Sequence, residues 1–219
     1  VSFENSGTIQ KGAGTTVYND VLSNLVGSDQ CPAYASMDSV GSGRLLASYA
    51  HTSNFTSTLL LMDNSASPDE AKVVASLGVD FFVYEGSVLD SAEGWFVCVC
   101  QDYSNSTETA VVFAGRVVGD DITVYSASAV QYAANFSVAP DLLRLSDSAF
   151  ALGYYTNTSL SARYGELDTA TITLQLSEAF DFSANNGYYY FSLAALSSSS
   201  FLASFYDSLQ EGAEALGGA

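Results

Sequence analysis

The chain is poor in positive charge. Lys and Arg number 6 against 24 Asp and Glu, a formal net charge of −18 over 219 residues. Nucleic-acid backbones and anionic membrane surfaces are held through Lys and Arg, so neither is an expected partner. Histidine is nearly absent, with His51 alone. A Ser-His-Asp triad would have to use it, yet no Gly-x-Ser-x-Gly elbow is present, and a zinc site made from several histidines is excluded. Proline is scarce, at 3 residues. No apolar run approaches the ~18–20 residues of a membrane-spanning helix. The chain opens at Val1 without an initiator Met or a signal-peptide pattern, so a processed protein or a piece of a longer one is expected.

Cysteine is also sparse, at 3. Cys98 and Cys100 are two apart and point to one face of a strand. A disulfide from Cys31 to Cys98 or Cys100 is one expectation, and three buried free thiols are the other.

What is present favours β structure. The hydrophobic fraction of 48% is ample for a core and argues against disorder despite the charge. Runs rich in Val, Thr, Tyr and Phe alternate with Gly, Asp, Asn and Ser, the pattern of an all-β fold. Helical periodicity shows only weakly, at Ser208 to Leu216.

A repeat of about fifty residues orders these runs. Leu145-Ser146-Asp147 followed by Phe150 to Tyr155 matches Leu196-Ser197-Ser198 followed by Phe201 to Tyr206. It also matches Leu89-Asp90-Ser91 followed by Trp95 to Cys100, and, more loosely, Met37-Asp38-Ser39 followed by Leu45 to Ala50. The leading residues are 52, 56 and 51 positions apart. The third copy splits into strands A (Leu142 to Leu145), B (Phe150 to Tyr155), C (Leu160 to Glu166) and D (Thr169 to Leu176). Strands C and D carry a Gly followed by a Thr-flanked apolar pair, as in Gly165…Ile172-Thr173-Leu174 and Gly115…Ile122-Thr123-Val124.

The expected architecture is therefore a β-propeller of four-stranded antiparallel blades. Residues 1–207 form the repeat domain: a half blade at 1–30, repeats at 31–83, 84–137 and 138–187, and a half blade at 188–207. Residues 208–219 are a C-terminal tail or linker. The split ends predict either four blades closed by shared termini, with Thr15 to Tyr18 in the same sheet as Phe201 to Tyr206, or a segment of a larger propeller.

Units of the form Leu145 to Tyr154, then Gly165, Ile172 to Leu174 and Phe180, resemble the propeller-like tandem repeats of large surface proteins in bacteria and aquatic protists. The resemblance implies a cell-surface or extracellular scaffold and carries over no catalytic residue. The Trp-Asp, kelch and integrin-type calcium motifs of other propeller families are missing.

Four glycosylation sequons are present, at Asn54, Asn105, Asn135 and Asn157. The first, second and fourth fall between strands B and C of consecutive repeats, and Asn135 falls between D and the next A. Strand alternation puts all four at one end of the blades, where glycans need exposure. The opposite end, made from A–B and C–D turns, collects Asp38, Asp63, Asp69, Glu70, Asp90, Glu93, Asp120, Asp121, Asp147 and Asp168. Asp is a preferred turn residue that caps its own backbone; calcium at Asp63, Asp69 and Glu70 is the competing expectation.

Glycoside hydrolysis needs two carboxylates. The A strands offer few, with Glu85 and Asp141 at their edges. Tyr84, Trp95, Tyr188, Tyr189 and Tyr190 are either sugar-stacking residues or filling between blades. The sequence thus points to a non-enzymatic, glycosylated, structural or adhesive propeller module outside the cell. Its partners would be other surface or matrix proteins, glycans, or further copies in a homopolymeric assembly. A carbohydrate-binding module and a propeller glycoside hydrolase are the alternatives.

Overall fold

A computed structural model describes residues 35–51, 55–63, 72–103, 109–133, 138–156, 159–183, 188–207 and 212–218. Sixteen strands are present among them, in four antiparallel sheets. The first sheet runs β1 (Ala35–Gly41), β2 (Arg44–His51), β3 (Thr56–Asp63), β4 (Lys72–Val79). The second runs β5 (Phe82–Asp90), β6 (Trp95–Asp102), β7 (Thr109–Val118), β8 (Asp121–Ala133). The third runs β9 (Val138–Arg144), β10 (Ala149–Tyr155), β11 (Leu160–Asp168), β12 (Thr173–Leu176), with β13 (Phe180–Ser183) on the free end of β11. The fourth is β14 (Tyr188–Ala195), β15 (Phe201–Asp207) and β16 (Gly212–Gly218).

Each sheet is thus one repeat, with its strands in chain order. The first strands of neighbouring sheets lie against one another, β1 on β5, β5 on β9 and β9 on β14. This is blade packing of the β-propeller kind. Pro140 fits this plan: it lies in β9, an edge strand, and an edge can lose one N–H.

The core lies between the sheets. Strand β6 is buried from Trp95 to Gln101 without a break. Its alternate residues serve two interfaces. Phe96, Cys98 and Cys100 pack with Leu46, Leu59 and Leu61 of the first sheet, whereas Trp95, Val97 and Val99 pack with Phe150 and Leu152 of the third. A strand covered on both faces must be apolar throughout, which is why this run lacks alternation.

Two details differ from the sequence expectation. The residue equivalent to Phe150 is Phe96 rather than Trp95: Phe150 stands opposite Gly165, Phe96 opposite Gly115, and Phe201 opposite Gly218. In the second sheet Val88 pairs with Phe96 across a register shift between Val88 and Asp90, whereas in the third Arg144 pairs with Phe150 with no shift at that end, so the two A–B junctions are out of step. Second, residues 212–218 are not tail or helix but the strand β16 beside β15. An unfilled strand edge outweighs the weak helical preference of Ala, Glu and Leu there. Thr15 to Tyr18, expected in the sheet of β15 through closure by shared termini, lie outside the described residues. The half blade expected at 1–30 lies outside the described residues.

Candidate functional site

The inner edge of each sheet is its first strand, and every second N–H of an edge strand points away from its own sheet. Here the preceding sheet supplies acceptors. Ser36 Oγ accepts from Gly86 N at 2.9 Å, Glu85 Oε2 from Leu142 N at 2.9 Å, and Asp141 Oδ2 from Leu193 N. The register is the same at each step. Ser36, Glu85 and Asp141 stand opposite Ser48, Val99 and Gly153, three residues beyond Leu45, Phe96 and Phe150 of the second strands. The donors Gly86, Leu142 and Leu193 stand opposite Cys98, Leu152 and Ala203, one position nearer the A–B turn. A further rung joins the first two sheets, where Asp38 Oδ2 accepts from Val88 N at 2.8 Å and from Ser87 Oγ at 3.4 Å.

Glu85 and Asp141 are half-buried, and burial sets the acidity of both. Desolvation pushes the Glu85 carboxyl up to about 7; the Leu142 N–H opposes the shift and the nearby Asp141 charge adds to it. Asp141 is raised in the same way by desolvation, against the hydrogen bonds from Leu193, Ser192 and Leu142. The two inner-strand carboxylates singled out from the sequence are therefore neighbours in space, and each holds the next sheet.

At the end of the sheets carrying A–B and C–D turns, the acids are engaged locally. Asp90 Oδ1 accepts from Ala92 N and Glu93 N, and Asp168 Oδ1 from Ala170 N and Thr171 N. The Thr171 hydroxyl and these amides hold the Asp168 carboxyl below its ordinary value. Arg116 pairs with Glu93 at 2.5 Å, Arg144 with Asp147 at 2.6 Å, and Arg44 with Asp120 at 3.5 Å. A cleft of about 190 Å³ opens between the first two sheets, with Arg44, Arg116, Ser91 and Gly94 in its wall. Its guanidinium groups are already claimed: Arg116 lies 5.0 Å from the Trp95 ring centroid and also donates to the Glu93 carbonyl, and Arg44 donates to the Gly119 carbonyl. Of the expected calcium ligands, Asp63 ends β3 opposite Arg44, and Asp69 and Glu70 lie outside the described residues. Among the described residues no three His, Cys, Asp or Glu gather as a metal would need.

The other end, with the B–C and D–A connections, holds aromatics. Phe55 stacks on Tyr103, with ring centroids 4.5 Å apart and planes at 30°. Phe82 meets both, at 6.2 and 5.9 Å, and Tyr84 meets Phe82 edge-on at 5.2 Å. The hydroxyls of Tyr84 and Tyr103 donate to Oε1 of the buried Gln101, at 2.7 and 2.8 Å. Tyr84 was visible in the sequence as a candidate, whereas Phe55 and Tyr103, 48 positions apart, were not. Trp95 is buried between the second and third sheets as filling. The side chains of Tyr188, Tyr189 and Tyr190 lie outside the described set.

Asn54, Asn105 and Asn157 fall in the sequence between β2 and β3, β6 and β7, and β10 and β11; Asn135 falls between β8 and β9. All four are themselves outside the described residues. Cys98 and Cys100 are free thiols, fully buried on the face toward the first sheet; Cys31, their expected partner, lies outside the described residues. His51 closes β2 opposite Thr56.

No protein-family model matches the sequence, and no curated protein matches it. Similarity appears in structure. The NanB sialidase from Streptococcus pneumoniae superposes with a TM-score of 0.53 at 14% identity, over 79% of this chain and 27% of the sialidase. The β-propeller domain of Nup133 from Vanderwaltozyma polyspora superposes with a TM-score of 0.49 at 8% identity, over 85% of this chain and 56% of that one. This chain thus spans about a quarter of the sialidase's length. At such identity the likeness concerns fold alone, and that fold is a β-propeller.

Proposed function

We propose that the chain is a non-catalytic β-propeller module that serves as a structural or adhesive element outside the cell. One observation carries the non-catalytic part. The polar side chains of the inner strands, where a propeller would present catalytic groups, are engaged in holding one sheet to the next: Ser36 to Gly86, Glu85 to Leu142, Asp141 to Leu193. The location rests on the sequence: three of four sequons fall between second and third strands, at the same end of successive repeats.

A glycoside hydrolase is the second reading, favoured by the neighbouring carboxyls Glu85 and Asp141, both raised by burial. Hydrolysis would need the two to flank a glycosidic bond at roughly 5–10 Å separation. The likeness to a sialidase fold is compatible with this reading without favouring its chemistry.

Two measurements separate the readings. A panel of aryl glycosides, sialosides included, should show no turnover above a Glu85→Gln, Asp141→Asn control. Turnover abolished in that control would establish the hydrolase instead. Peptide mapping of the chain secreted from a eukaryotic host should find glycans at Asn54, Asn105, Asn135 and Asn157; unmodified asparagines throughout would remove the case for an extracellular role.

A further inference from the structure

The row of sheets ends differently on its two sides. At each inner interface the next sheet covers the same repeat positions. One and three residues beyond the glycine-facing Phe, these are Val97 and Val99 in β6 and Ala151 and Gly153 in β10, all buried. In β15 the same positions hold Leu202, half-buried, and Ser204, exposed. Four residues beyond the inner-edge acceptor, Leu89 is fully buried against the third sheet, and Leu145 packs against the fourth. Leu196, at that place beyond Ser192, is 65% exposed. Strand β14 packs on β9 and β10 of the third sheet, and among the described residues no further sheet takes its other side. The opposite end of the row is closed. Leu59 and Leu61 face the second sheet; Leu60 and Met62, which alternate with them, are buried on the far side together with Tyr49.

We propose that the uncovered face of the fourth sheet docks on the same face of a second copy of this chain, about a two-fold axis. The inference concerns assembly and goes beyond the scaffold reading without depending on where the protein resides. Among the described residues the row has one open face, so two chains meet through like faces. That is the isologous arrangement, which closes at a dimer. A head-to-tail array would need an open first sheet, and that end is buried. Charge selects the same face. With a net charge of −18, two copies repel at most of their surfaces. Ala194, Leu196, Leu202 and Ser204 carry no charge, and the β16 residues opposite Leu202 and Ser204 are Gly217 and Ala215. Leu196 supplies the apolar side chain that its counterparts Leu89 and Leu145 bring to the inner interfaces. Three strands of about seven residues give a face of roughly 14 by 23 Å. Two such faces bury less than the ~1,200 Å² of a standard interface, so the dimer is weak, with Kd on the order of 100 μM.

Sedimentation velocity of the full chain, from about 5 to about 500 μM, brackets that affinity. The sedimentation coefficient should rise with concentration toward that of a dimer and stop there. Added salt should strengthen association, because it screens the repulsion between acidic chains and no charge lies in the contact. Leu196→Asp and Ala194→Asp set like charges face to face, and each should raise Kd by about tenfold or more. Both positions are exposed, so the melting temperature should hold. A fluorescently labelled Leu196→Asp chain titrated with wild type should stay monomeric, since a mixed pair buries the aspartate against an apolar face. A wild type that remains monomeric at the highest concentration, growth beyond the dimer, unchanged association in both variants, or capture of the labelled variant by wild type would overturn the proposal. Each of those results would leave the scaffold reading standing, since that reading is tested by turnover and by glycopeptides.

Discussion

Phe96 covers Gly115 on the neighbouring strand so closely that a methyl group there would sit 2.1 Å from Cζ of the ring. Phe150 covers Gly165 in the same way, at 2.2 Å. An aromatic shielding a cross-strand glycine fills the space the glycine leaves, and the two residues become mutually required. Gly165→Ala should destabilise the protein by about 1–3 kcal/mol through overpacking, and Gly115→Ala by a comparable amount. The sharper test is a thermal-denaturation double-mutant cycle. Phe150→Leu should cost less in the Gly165→Ala background than alone, because the smaller side chain makes room for the methyl. Additive costs would show that ring and glycine are independent.

That pair also explains which parts of the fold the sequence made legible. The fifty-residue period was clearest in the second and third sheets, where the same Phe-over-Gly packing constrains residue type at two positions, and loosest in the first, where Leu45 stands opposite Met62. Gly115 and Gly165 stood out in the sequence as the head of the C–D signature, without their reason. The alignment slipped from Phe96 to Trp95 because β5 carries a register shift between Val88 and Asp90 that β9 lacks at the matching end, and both residues are aromatic. Strand β16 was missed because its composition is helical, and its strand state comes from the free edge of β15, which is non-local information. The inter-sheet hydrogen bonds were illegible for a different reason. Ser36, Glu85 and Asp141 share a register but not a chemistry, and their partners are backbone N–H groups that leave no mark on sequence.

Burial of Glu85 makes a signed prediction for pH. Its carboxyl is raised to about 7 from an ordinary 4.5, so the folded state holds the proton more tightly than the unfolded one. The stability this contributes is full below about 4.5 and is lost as pH rises through about 7. Asp141, raised by the same cause, acts in the same direction. Melting temperature should therefore fall between pH 5 and 8 more steeply in wild type than in Glu85→Gln, which keeps an acceptor for Leu142 N and removes the titration. Parallel curves for the two proteins would show that Glu85 is not the titrating group.

Cys98 and Cys100 should be unreactive in the folded protein. Both are fully buried, and desolvation pushes both thiols well above their ordinary value, so almost no thiolate is present near neutral pH. Incubation with iodoacetamide at pH 7.5 followed by peptide mapping should find both unlabelled until denaturant is added. Labelling of either in the native state, on the timescale of an exposed thiol, would contradict their placement between the first and second sheets.

The inter-sheet series predicts which amide each side chain protects. Removing one acceptor leaves a partly buried N–H without its partner, a loss of about 1–3 kcal/mol. Amide exchange reads this locally. Asp141→Ala should speed exchange at Leu193 by about ten- to a hundredfold, and at Leu142 by less, since that N–H keeps Glu85 as an acceptor. Glu85→Ala should do the reverse, and Ser36→Ala should act at Gly86. Because each bond joins the first strand of one sheet to the first strand of the next, the effect should also spread further within the sheet that receives it. Asp141→Ala should loosen β14 and β15 more than β5 and β6. A uniform rise across all four sheets would mean that the sheets open as one unit and that the inner-edge bonds do not set their boundaries.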